Sequence, residues 1–223
     1  MKLVIFDFCE TLVNFQTADA FIDYIIEKEG YSKYHWIHKL DIFLTKNKLI
    51  SLINKIAPEY NPSKRIKLYQ IKNLEKEKVE KYAYLFFENK IKTNLIEPLY
   101  ELFLSHIDNK DHVLIISGGY SPYIKLFAET HKINGFFATE LAFSSKKFTG
   151  FFKGKDCLFK QKVVLLKKYL ESNKINYTSS VAYSDSITDL PLLCWVDEPV
   201  VISKNKSQLW AVKYGFKKKI KIK

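Results

Sequence analysis

Three apolar runs in this chain stop at residues able to do chemistry. Leu3-Val4-Ile5-Phe6 ends at Asp7, and His112-Val113-Leu114-Ile115-Ile116 ends at Ser117-Gly118-Gly119. Ser180-Val181-Ala182-Tyr183 leads into Ser184-Asp185-Ser186, with Asp189 shortly beyond. Carboxylates such as Asp7 and Asp185 are the oxygen ligands that a hard cation such as Mg²⁺ prefers. A carboxylate can also act as a nucleophile and form a covalent intermediate. A seryl hydroxyl beside a glycine amide offers hydrogen-bond donors to an anion. Brought together, these groups suit attack on a phosphoryl group, which a carboxylate reaches only where the negative charge is screened.

The elements that must bring them together can be read from periodicity. Apolar runs without alternation fit strands buried on both faces of a parallel sheet. Ligands of open α/β sheets bind at the carboxyl ends of strands, where all three runs place their polar residues. The segments Ala18–Glu29, Lys76–Lys92 and Leu158–Leu170 space apolar and charged residues at three and four, as helices do. Ser121-Pro122 opens another helix, with Pro at a permitted first-turn position. Leu141–Phe152, with Ser144-Ser145-Lys146-Lys147 at its middle, predicts a hairpin. About a hundred residues separate Asp7 from Ser117, far more than an ordinary crossover needs. A helical insert over residues 16–92, broken by Pro58 and Pro62, accounts for that distance.

Four motifs in order carry a family resemblance. Phe6-Asp7-Phe8-Cys9-Glu10-Thr11-Leu12-Val13 resembles the first motif of the haloacid dehalogenase superfamily, and Ser117-Gly118-Gly119 the second. Lys162, downstream of Phe148-Thr149-Gly150, sits where the third motif has its lysine. Asp185-Ser186-Ile187-Thr188-Asp189 resembles the fourth. Phe-Asp-Phe, Ser-Gly-Gly and Asp-Leu-Pro look most like the phosphoserine phosphatase branch, subfamily IB. The resemblance implies a Rossmann-like, doubly wound parallel sheet. The core would be residues 1–15 plus 93–223, with residues 16–92 forming a helical cap between the first and second motifs. It also implies a Mg²⁺-dependent phosphatase. Asp7 would be nucleophile and metal ligand, the Cys9 backbone carbonyl another ligand, and Asp185 a third. Asp189 would bind the metal directly or through water, and Ser117, Gly118 and Lys162 would cradle the phosphate. The cap would close over a small phosphorylated metabolite such as an amino-alcohol, polyol or sugar phosphate.

The chain departs from the pattern at Cys9, where phosphatases of this family place an aspartate that protonates the leaving group. A thiol with a pKa near 8.5 is a far weaker acid than a carboxylic acid near 4, and general acid catalysis contributes about 10²–10⁴-fold. The substitution implies a slow alkyl phosphatase, a substrate with a good leaving group, or a catalytically impaired phosphate-binding or regulatory protein. Gln16 stands where phosphoserine phosphatase has a glutamate that meets the substrate ammonium, so it is a candidate substrate contact without that charge. Ser184 replaces a glycine, which reads as a minor backbone change. Plainer uses also exist: Asp7 could cap a helix, Ser117 and Gly118 could make a turn, Asp189 could cap one, and Lys160, Lys167 or Lys168 could stand in for Lys162.

Composition narrows the class. With 47% hydrophobic and 27% charged residues the chain is neither disordered nor fibrous. The net charge of +12 is almost wholly lysine, Arg65 being the one arginine. That is weak support for nucleic-acid readout, which leans on bidentate arginine, although the field would attract anionic substrates. Cys9, Cys157 and Cys194 are odd in number and widely spaced, which suits a reducing compartment rather than a disulfide framework. No run of 18 apolar residues is present for a membrane span, and Asp7 falls too early for a signal peptide, so a cytoplasmic protein is expected. His35 and His38 beside Trp36 read as a helix face. The tail Lys217–Lys223 alternates Lys and Ile like a charge-protected edge strand rather than a membrane or RNA contact.

Overall fold

In the computed structural model, which describes residues 1–30, 39, 43, 61–204 and 208–222, the first apolar run becomes β1 (Lys2–Phe6), with Leu3 to Phe6 fully buried. Leu3 and Ile5 face one apolar cluster, and Val4 and Phe6 face the other. That two-sided burial is what a continuous apolar run demands. β2 (His112–Tyr120), β3 (Gly135–Thr139), β6 (Ser179–Ser184), β7 (Glu198–Lys204) and β8 (Lys219–Ile222) join it in one sheet. The strand order is β3-β2-β1-β6-β7-β8, and every pairing is parallel. The chain thus leaves β1 for β2 on one side and reaches β6 on the other, so the crevice at a reversal of strand order opens at the end of β1. Asp7 lies at that crevice.

Helices cover both faces. α1 (Thr17–Glu29) ends at Gly30, whose φ of 81° lets its amide return to the Glu27 carbonyl. α2 (Pro62–Tyr69) begins where the Asn61 side chain accepts from the Lys64 amide, with Pro62 in the first turn. α3 (Lys76–Phe86) continues as a π-helical turn over Phe87–Ile91 and a 3₁₀ turn over Lys92–Asn94, so the helix expected to Lys92 changes pitch after Phe86. α4 (Glu97–Asp108), α5 (Ser121–Thr130), α6 (Lys160–Asn173), α7 (Leu190–Leu193) and α8 (Leu209–Lys213) complete the set.

The described part of the insert shares its apolar cluster with the sheet. Phe21 of α1, Phe86 of α3 and Tyr123 of α5 meet with ring centroids 5.1–5.3 Å apart. Truncating a buried phenylalanine of this kind costs about 3–5 kcal/mol. The predicted hairpin forms as β4 (Leu141–Ser144) and β5 (Lys147–Phe152), antiparallel. Its backbone bonds the α2–α3 connection through Asn73 N to Phe148 O and Phe148 N to Leu74 O, both 2.8 Å.

One expectation changes and one is met. The second run does not stop at Ile116; β2 carries Ser117-Gly118-Gly119 within it, and its register against β3 shifts between Ile116 and Tyr120. An irregular stretch of strand, not a loop, presents the serine. The tail is the edge strand β8, with Ile222 buried and Lys219 and Lys221 exposed. Pro58, His35, Trp36 and His38 lie outside the described residues.

Candidate active site

Strand ends and one helix converge on a cavity of about 170 Å³, with Asp7, Cys9, Ser117, Gly118, Lys162, Asp185 and Asp189 in its walls. Asp7 follows β1, Ser117 and Gly118 ride on β2, and Asp185 follows β6. α6 delivers Lys162 from its first turn. Every residue that the four motifs singled out is therefore in one place, Gln16 included at the exposed rim.

The floor is an ionic bridge. Lys162 Nζ donates to Asp7 Oδ1 at 2.8 Å and to Asp189 Oδ2 at 2.6 Å, with its side chain 1% exposed. Burial alone would favour the neutral amine, but Asp189 and Asp7 outweigh it and hold the ammonium charge firmly. This distinguishes Lys162 from Lys160, Lys167 and Lys168, which do not line the cavity. Burial pushes Asp7 up to about 6, with Lys162 opposing and Asp189 adding to the rise. Asp185 is pushed up to about 7 by burial and then by the charges of Asp7, Glu10 and Asp189.

Ser184 has a larger part than its sequence context suggested. Its hydroxyl donates to Asp189 Oδ2 at 2.7 Å and accepts from the Ser186 amide at 3.1 Å, so it fixes the carboxylate that fixes Lys162. A glycine could not do this. Thr11 is also part of the site: its hydroxyl donates to Asp185 Oδ1 at 3.3 Å and accepts from the Asp185 amide at 3.2 Å.

Cys9 faces inward with its thiol 2.8 Å from the Thr17 hydroxyl and 3.8 Å from that of Ser117. Thr17 in turn lies 2.9 Å from the Tyr123 hydroxyl, which accepts from the Tyr120 amide. Burial, then the charge of Asp7, raises the thiol above its ordinary value, so Cys9 keeps its proton. Gln16 donates through Nε2 to Glu10 at the mouth. Asp19, Asn61 and Ser63 complete a polar rim.

The donor set suits a divalent cation. Asp189 Oδ1 is buried with no hydrogen-bond partner among the described residues, and burial, then the charge of Asp7, raises Asp185's affinity for protons, which added positive charge would relieve. Among the described residues no three His, Cys, Asp or Glu side chains form a ligand set by themselves. Carboxylate oxygens of this kind are the ligands that a hard divalent cation takes.

Lys64, Asp156, Thr139 and Thr17 were not singled out by sequence reasoning. The first three are far apart in the chain and meet only across the insert and core, whereas Thr17, the residue after Gln16, is signalled only by its nearness to the first motif.

Comparison with known proteins gives a consistent picture. A sequence profile of the haloacid dehalogenase-like hydrolases matches residues 4–193. The phosphoserine phosphatase of Methanocaldococcus jannaschii is 27% identical over 192 residues, which is 86% of this chain and 80% of that protein. A Bordetella pertussis Tohama I protein of unknown function has a TM-score of 0.78 at 18% identity, over 98% of this chain and 97% of its own. A substrate-bound phosphoserine phosphatase has a TM-score of 0.65 at 23% identity, over 98% and 92%. At these identities the structural likeness is one of fold.

Proposed function

The chain belongs to the haloacid dehalogenase-like hydrolases, and from that premise we propose that it hydrolyses the phosphate monoester of a small metabolite, with Asp7 as nucleophile. The observation that carries this reading is Lys162 spanning Asp7 and Asp189 at the floor of the cavity that also holds Ser117 and Gly118. A carboxylate beside a fixed ammonium can approach a phosphoryl group without facing its charge unscreened.

Asp7 Oδ attacks phosphorus, the ester P–O bond breaks, and the leaving oxygen takes a proton. Water then attacks the aspartyl-phosphate, releasing inorganic phosphate and restoring the carboxylate. Ser117 hydroxyl, the Gly118 amide and Lys162 hold the non-bridging oxygens. Asp7, Asp185 and the Cys9 carbonyl would hold Mg²⁺, with Asp189 reaching it directly or through water. When bound, the cation supplies charge neutralisation for the phosphoryl oxygens. Cys9 is the only side chain the first motif places where a leaving-group acid belongs, and its raised pKa makes it a slow proton donor. This favours esters whose leaving oxygen needs little help. The residues 16–92 act as the cap, and the rim of Gln16, Asp19, Asn61 and Ser63 suits a polar amino alcohol, polyol or sugar rather than a protein surface.

The test is phosphate release from a panel of small esters and one aryl phosphate, with Mg²⁺ or with EDTA, beside Asp7→Asn. Metal-dependent release that falls at least about 10³-fold in Asp7→Asn is expected. Folded protein that binds phosphate but releases none from any ester would favour the second reading, a phosphate-binding module disabled at Cys9.

A further inference from the structure

One buried ion pair stands in the wall of the same cavity, with Lys64 lining it and Asp156 behind. Lys64 leaves α2 of the insert and crosses to the core, where its Nζ donates to the Gly118 carbonyl at 2.5 Å, to Asp156 Oδ1 at 2.6 Å and to Thr139 Oγ1 at 3.2 Å. Its side chain is 7% exposed and that of Asp156 is 4% exposed. The ammonium also stands 5.0 Å over the Tyr120 ring and 5.2 Å over that of Phe152. Thr139 Oγ1 lies within reach of both Asp156 Oδ1 and, at 3.3 Å, the Gly118 carbonyl; its one proton serves the closer carboxylate, which leaves Lys64 as the donor held at 2.5 Å on that carbonyl.

The effect passes through one peptide unit. The carbonyl of the Gly118–Gly119 peptide is held by Lys64, and the N–H of the same unit, that of Gly119, is 3.1 Å from Ser117 Oγ. With a lone pair of Ser117 thus occupied, its hydroxyl proton is left for the Cys9 sulfur at 3.8 Å or for the cavity that Ser117 borders. A planar peptide held at both ends cannot rotate. The orientation of the Ser117–Gly119 stretch of β2 is therefore set by a residue of the insert.

Stability does not explain the pair. Desolvating two charges offsets most of their attraction, and buried pairs replaced by apolar residues are commonly as stable or more so. Apolar side chains would not, however, donate to the Gly118 carbonyl. We infer that Lys64 is a positioning residue that makes the phosphate-binding geometry of Ser117 and Gly118 conditional on the seating of the insert against the core. The inference rests on the proposed function in so far as Ser117 and Gly118 receive the phosphate.

Lys64→Met and the double variant Lys64→Met/Asp156→Leu separate positioning from folding. Three quantities are read for each and for the wild-type protein: Tm, affinity for inorganic phosphate by calorimetry with Mg²⁺ present, and KM and kcat for an aryl phosphate. The single variant strands the Asp156 charge and should lose Tm. The double variant should regain wild-type Tm while phosphate affinity stays weaker, and KM higher, by at least about tenfold. Recovery of Tm together with wild-type phosphate affinity would overturn the inference. If the double variant does not fold, Lys64→Gln/Asp156→Asn removes both charges but retains a donor, and it should keep wild-type phosphate affinity; a tenfold loss there would overturn the inference. Wild-type protein that binds phosphate without turning over esters would refute the phosphatase reading and leave the affinity comparison decisive for Lys64. Wild-type protein that does neither would refute both.

Discussion

At the residue scale the chemistry turns on Cys9. Its thiol is sealed among Asp7, Thr17 and Ser117, and burial keeps it protonated where the family carries a stronger acid. Placing a carboxyl group there restores a general acid, and Thr17 is positioned to hydrogen-bond it. Cys9→Asp is expected to raise kcat for alkyl phosphates by about 10²-fold or more. Aryl phosphates, whose leaving oxygen needs little protonation, should gain far less. Equal gains on both classes would show that the side chain at this position does not meet the leaving oxygen.

At the element scale β2 is the part under tightest constraint. A Cβ added at Gly119 would lie 2.7 Å from the Tyr123 hydroxyl, 2.8 Å from Ile124 Cδ1 and 3.1 Å from Thr17 Oγ1. The first and third are the hydroxyls that line up behind Cys9, and Tyr123 sits in the aromatic cluster between α1, α3 and α5. Gly119→Ala is therefore expected to cost about 1–3 kcal/mol of stability through overpacking. It should also lower activity by disturbing the Cys9–Thr17 contact. Thermal unfolding and turnover measured side by side would check this. Thr17→Ala in the same background should recover part of the stability, because it removes one of the atoms the new methyl meets.

At the scale of the whole molecule, two histidines away from the site work against stability in acid. His112 opens β2 with its Nε2 3.0 Å from the Tyr169 hydroxyl. His131 bonds the Phe127 carbonyl through Nδ1 and the Tyr100 hydroxyl through Nε2, both at 2.8 Å. Burial lowers both below the usual histidine value. Unfolded histidine takes up its proton near pH 6.5. As pH falls through that value, the unfolded chain binds protons that the fold resists, so stability decreases. Asp7 and Asp185 act in the opposite sense, because burial makes their carboxyls take up protons in the fold before the unfolded chain does. The test is therefore a difference: the change in Tm from pH 7 to pH 5 should be more favourable in His131→Gln than in the wild-type protein. An unchanged slope in that variant would remove His131 from the account. The described helices include none long and apolar enough to cross a membrane, and the +12 charge favours the approach of anionic substrates from any side.

Sequence alone determined the parallel sheet and the membership of the site. Its local signals were apolar runs buried on both faces, each ended by Asp7, Ser117 or Asp185; Lys162, in a helix between the second and third of these, was legible only through the family resemblance. Parallel strands must place those ends on one edge, so the convergence of Asp7, Ser117 and Asp185 follows from connectivity. Tertiary structure decided what no spacing encodes. That Ser184 holds Asp189, that Thr17 meets Cys9, and that Lys64 crosses to Gly118 and Asp156 all depend on side chains meeting from separate elements. Local periodicity reports which face of an element is buried. Which polar group it finds there depends on how the elements pack, and in this protein that packing brings Lys64 of α2 onto the Gly118 carbonyl of β2.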